Sequence, residues 1–234
     1  LDEFLKNNYS LLTYGVELMA AIIGLIVYKK FKNSHAKYFI WFICAIPLIE
    51  FIGGYPWHFE DLGLFHLIEG TVFERNYWWF TIFWTMGSAL FYSWYLEKVI
   101  TNKMYSILLR VSRYVFFVIS ILVIVTNIDE FFIYSSSPIV LGGTVLIILS
   151  CFLYFLEILT SDKILDFYRS INFYISATLF IWFLITSTIL FFDKYFNDMD
   201  WNFVLLQWQV FLISNIFMYS IFTFALLWSK PEKN

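Results

Sequence analysis

Residues 138–158 read PIVLGGTVLIILSCFLYFLEI, and the only ionisable side chain besides the Cys151 thiol and the Tyr154 phenol is Glu157, next to the last position. At 1.5 Å of rise per residue, about 20 apolar residues cross a hydrocarbon layer of roughly 30 Å. Apolar positions here are continuous instead of alternating, which predicts a membrane helix and not a barrel strand. Working outward, similar runs occupy 9–28, 38–55, 78–95, 107–128, 171–192 and 203–228. The expected fold is therefore all-α, a polytopic membrane protein with seven transmembrane helices in one domain spanning 1–234. Composition agrees, because 61% of the chain is apolar, 24% aromatic and only 14% charged, where a soluble domain carries far more charge. Cys44 and Cys151 both fall inside apolar runs and read as small buried residues. The first run has no cleavage site at its end and is expected to be a retained span.

Lysine and arginine resist translocation and collect in cytoplasmic connections. Between the expected spans they divide twelve to three: Lys29, Lys30, Lys32, Lys37, Lys98, Lys103, Arg110, Arg113, Lys163, Arg169, Lys230 and Lys233 on one side, Lys6, Arg75 and Lys194 on the other. This predicts an N-terminus outside and a C-terminus inside. Asp2, Glu3, Glu60, Asp61, Glu69, Glu74, Asp129, Glu130, Asp193, Asp198 and Asp200 fall on the opposite side from the basic majority. Tryptophans at the ends of several runs occupy belt positions.

No Gly-rich phosphate loop, paired-Cys motif, HExxH or nucleophile elbow occurs, and the connections on the basic side are too short for a catalytic domain. The 203–228 run has no lysine to form a retinal Schiff base, and three histidines are too few for a membrane zinc hydrolase. No internal repeat suggests duplicated transporter halves. The longest connection, 56–77, mixes apolar and acidic residues over 59–74, which predicts a short helix lying in the interface.

The stretch Ser135-Ser136-Ser137-Pro138-Ile139-Val140-Leu141-Gly142-Gly143, continuing through Leu153-Tyr154-Phe155-Leu156-Glu157-Ile158-Leu159 to Phe173, resembles small uncharacterised seven-span membrane proteins of Bacteroidota. The segment Asn76-Tyr77-Trp78-Trp79-Phe80 is similar to theirs as well. The resemblance covers about half the chain and implies partnership with separate sensor-kinase proteins.

Polar groups inside a membrane cost free energy unless paired or used, so they are the candidate functional residues. Glu17, Glu50, Thr85, Gln207, Gln209 and Asn215 fall in the outer half or near the midplane of their runs. Facing inward, they would line a ligand or cation cavity; the alternative is that the two acids are protonated hydrogen-bond donors in helix packing. Pro47 and Gly53-Gly54 flank Glu50 and favour a kink there. Glu157 lies near the inner interface, within reach of Lys163 or Arg169. His58, His66 and Glu69 form a weak metal-ligand pattern, the last two spaced for one helical face; solvated loop residues are the simpler explanation, and no metal is expected. Lys98, Lys103, Arg110 and Arg113 are concentrated around the third and fourth spans and form the expected cytoplasmic contact. The function expected is that of a non-enzymatic receptor-like sensor or accessory subunit in the bacterial inner membrane. Its partners would be the lipid bilayer and a second membrane protein, without nucleic acid or cofactor. The alternative is a proton- or small-cation-coupled transporter using Glu17 and Glu50.

Overall fold

The computed structural model describes residues 2–193 and 201–231, with side chains described over 8–189 and 203–231. Lys194, Asp198, Asp200 and Lys233, used above for orientation, lie outside the described residues. The elements in order are α1 (Asp2–Phe31), α2 (Ala36–Gly53), α3 (Tyr55–Asp61), α4 (Tyr77–Trp79), a π-helix (Phe80–Met86), α5 (Gly87–Val99), α6 (Lys103–Thr126), α7 (Ile128–Phe131), α8 (Ser137–Leu159), α9 (Ile171–Asp193) and α10 (Trp201–Trp228), with short 3₁₀ turns between. No strand occurs among the described residues. Among the described residues six helices are long and apolar enough to cross a membrane: Asn8–Phe31, Ala36–Gly53, Lys103–Thr126, Ser137–Leu159, Ile171–Ile189 and Phe203–Trp228. The chain is an all-α membrane protein.

The remaining expected span, 78–95, falls in a helical stretch of three pieces. Residues 77–99 run through α4, the π-helix and α5 without a break. A π turn inserts one extra residue per turn and rotates the residues after it, which is why it recurs at specialised positions in helices. The Trp79 and Phe83 rings pack against each other in this stretch, tilted by 39° with centroids 4.2 Å apart.

The expected interfacial helix over 59–74 is corrected by the structure. Only α3 is helical there, opened by Pro56 in its first turn and followed by a single 3₁₀ turn at Phe65–Leu67. Gly63 and Gly70 adopt φ of 69° and 70°, left-handed conformations that reverse the chain twice and that a side chain would strain. Helix α2 continues through Pro47 and ends at Gly53.

The chain divides into two compact units, Leu1–Cys44 with Cys151–Asn234, and Ala45–Ser150. In the first, α10 packs against both α1 and α9. Phe39 and Phe222 meet edge to face at 5.0 Å, and Gly24 lies so close to Ile40 and Ile43 that a Cβ there would sit 3.2 Å from each. Lys30 Nζ donates to the carbonyls of Leu226 and Leu227 at 3.1 and 3.0 Å, capping the end of α10 with a cation.

In the second unit, α5 packs on α6, and Gly143 of α8 approaches α5 so closely that a Cβ there would fall 3.3 Å from the Ala89 methyl. Side chains close the end of α2. Trp79 Nε1 donates to the Ile49 carbonyl at 2.9 Å, Asn76 Nδ2 to Gly53 at 2.7 Å, and His58 Nε2 lies 3.1 Å from the Phe51 carbonyl. Helix ends leave carbonyls without partners, and in a lipid-rich setting each must be satisfied by the protein.

Candidate functional site

Helix α5 ends at Val99, Ile100 turns extended, and Asn102 caps α6 by accepting from Met104 N at 2.9 Å and Tyr105 N at 3.3 Å. This short turn folds α6 back along α5. Arg110 and Arg113, three apart and so on one side of α6, thereby meet Glu97 of α5. Arg110 Nη2 and Nε lie 2.7 and 2.9 Å from Glu97 Oε1, and Arg113 Nη1 lies 2.6 Å from Oε2. The carboxylate is buried, with only 3% of its side chain exposed; Arg113 is 12% exposed and Arg110 54%. Each carboxylate oxygen thus faces a guanidinium group, with a hydrogen bond from Arg110 Nε to Oε1 and an ion pair of Arg113 with Oε2. Such a carboxylate is not positioned to take a proton from a substrate; its role is to fix the corner between two helices.

Comparison with protein-family models, with curated proteins and with solved structures found no match.

The site is accordingly defined by its own residues. Around the clamp, Lys98 and Lys103 are exposed, as is the outer part of Arg110. The four basic residues expected to form one contact region are thus divided in use: Arg113 and one edge of Arg110 hold Glu97, while the remainder presents positive charge. Sequence reasoning misses Glu97, although a lone acid beside Lys98 at the start of a basic turn is a usable signal.

The expected polar cavity residues fall in both units. In the first, Glu17 is buried at 2% exposure, and Gln207, Gln209 and Asn215 are half-buried. Asn215 Oδ1 accepts from Trp182 Nε1 at 2.9 Å, which ties α10 to α9 and satisfies a buried indole. In the second, Glu50 and Thr85 are half-buried. Glu157 pairs with Lys163, and its own carbonyl accepts from Ser161 Oγ at 2.6 Å.

Among the described residues no group of three or more His, Cys, Asp and Glu side chains is gathered for a metal. His58 faces the Phe51 carbonyl, and its ring lies 4.9 Å from that of Phe51. His66 and Glu69 do not share a helical face, because the 3₁₀ turn ends at Leu67 and both are exposed.

Proposed function

We propose that this chain is a seven-span, non-enzymatic sensor or accessory subunit of the bacterial cytoplasmic membrane, N-terminus outside and C-terminus inside, which acts by contacting a separate membrane protein. The observation that carries the proposal is the clamped basic corner. The Glu97–Arg110–Arg113 cluster makes the α5–α6 turn rigid, so that Lys98, Lys103 and the free edge of Arg110 are held in one orientation. A preorganised charged surface binds with a smaller ordering cost and steers its partner electrostatically. The aromatic-rich composition fits this role, since large rings supply contact area at little rotamer cost and membrane helices associate by packing. The continuity of 77–99 supports counting that stretch as the seventh span, and the twelve-to-three division of basic residues supports the orientation.

Purification from the native membrane in mild detergent tests this reading. Wild-type chain is expected to carry a stoichiometric membrane-protein partner. Lys98→Glu together with Lys103→Glu is expected to lose it, with the chain's own thermal unfolding unchanged, because both side chains are exposed. A monodisperse lone chain that drives proton or cation flux into liposomes would refute the proposal.

A further inference from the structure

A second basic feature lies in the other unit and has a different form: a pocket in place of a protruding corner. After α8 the chain makes two successive 3₁₀ turns, Asp162–Leu165 and Phe167–Arg169, before α9 begins at Ile171. The segment following α10 is tied to them, since Lys230 N donates to the Arg169 carbonyl at 2.9 Å and Ser170 pairs with Lys230 in a parallel bridge. These segments border an open pocket of about 520 Å³. That is within the range of small-molecule sites, roughly 300–1,000 Å³.

Three cations line it, Lys163, Arg169 and Lys230, against one acid, Asp166. Lys163 is engaged by Glu157. Arg169 lies over the Tyr168 ring at 5.2 Å, and both Arg169 and Lys230 are exposed. Neither is in an ion pair among the described residues. In the pocket wall the Tyr154 hydroxyl, on a side chain only 2% exposed, sits 3.3 Å from Ser170 Oγ. The first turn of α9 follows directly, bringing the positive end of a long helix to the same place. Ile158 and Phe167 supply an apolar wall.

We propose that this pocket binds an anionic phosphate ester, with Arg169 and Lys230 holding the phosphate oxygens. A guanidinium fork matches phosphate geometry, and an ammonium adds a mobile point charge. The apolar wall accommodates the carbon portion of the ester. A phospholipid headgroup and a soluble phosphate ester share this chemistry. Basic pockets at the ends of membrane helices bind lipid phosphates in this way. None of the residues lining the pocket belongs to the proposed partner surface at Lys98, Lys103 and Arg110.

Native mass spectrometry of the purified chain in detergent tests the proposal with two probes, phosphatidylglycerol and glycerol 3-phosphate, with phosphatidylcholine as the zwitterionic control. Arg169→Gln with Lys230→Gln is expected to reduce retention of the bound probe by roughly tenfold or more, in keeping with the attraction of two cations to an anionic headgroup. Lys98→Gln with Lys103→Gln removes the same charge elsewhere and is expected to leave retention unchanged. Loss confined to phosphatidylglycerol assigns the site to lipid, and loss of glycerol 3-phosphate assigns it to a soluble ester; either supports the proposal. Equal retention of both probes by wild type and by the Arg169 and Lys230 double variant, with thermal unfolding the same, would overturn it.

Discussion

Glu97→Ala is expected to destabilise the protein by about 3–5 kcal/mol, because removing one member of a buried ion pair leaves the other charge uncompensated. Arg113 is the charge that suffers, being 12% exposed, whereas Arg110 at 54% can turn to water. Thermal unfolding in detergent reads the effect as a fall of roughly 10 °C for a chain of this size. The double variant Glu97→Leu with Arg113→Met removes both charges while keeping volume, and is expected to recover most of the loss, since apolar replacement of a buried pair is often neutral. If the double variant is as unstable as Glu97→Ala, the corner is held by packing and not by charge. The same comparison bears on function: the double variant folds but no longer fixes the orientation of Lys98 and Lys103, so partner retention is expected to fall while stability is restored.

Gly53→Ala is the second large effect. A methyl there would lie 2.7 Å from Phe80 Cζ and from Trp79 Cδ1, closer than packed atoms approach. The Trp79 ring is held in place by its hydrogen bond to the Ile49 carbonyl. Overpacking of this kind costs about 1–3 kcal/mol, and Gly53→Val should cost more. Gly15→Ala is the matched control, because nothing lies within 4 Å of a Cβ at that helical position. It is expected to be neutral or slightly stabilising, alanine being the better helix former. Equal behaviour of the two alanine variants would show that the α2 end and the 77–80 segment are not in contact.

The contrast between these positions shows how far the sequence alone reaches. Uninterrupted apolar runs such as 138–158 and 203–228 form α8 and α10 nearly end to end, because length and hydropathy alone determine such helices. The 78–95 run looks the same in sequence yet contains a π-helix, since nothing in a hydropathy pattern distinguishes a wide turn from a regular one. In the 56–77 connection the amphipathic mixture suggests a longer helix than exists; the two glycines at positive φ are the contrary signal. Polar side chains are harder. Asn215 reads as a cavity residue in the sequence, but its partner Trp182 is 33 positions away on another helix, and helix rotation is not encoded in spacing. For Arg110 and Arg113 the positive-inside tendency accounts for where each charge lies without asking what it touches. The basic pocket combines residues as distant as Tyr154 and Lys230, and only folding brings them to one place.

The proposed odd number of crossings, and with it the proposed orientation, turns on the 77–99 stretch. Single cysteines at Asp61 and Lys103, in a chain with Cys44 and Cys151 replaced by serine, flank it on either side and can be labelled with a membrane-impermeant maleimide in intact cells and in inverted vesicles. Asp61→Cys is expected to react only from outside and Lys103→Cys only from the cytoplasm. Labelling of both from the same side would mean that 77–99 does not cross, and would contradict the seven-span architecture.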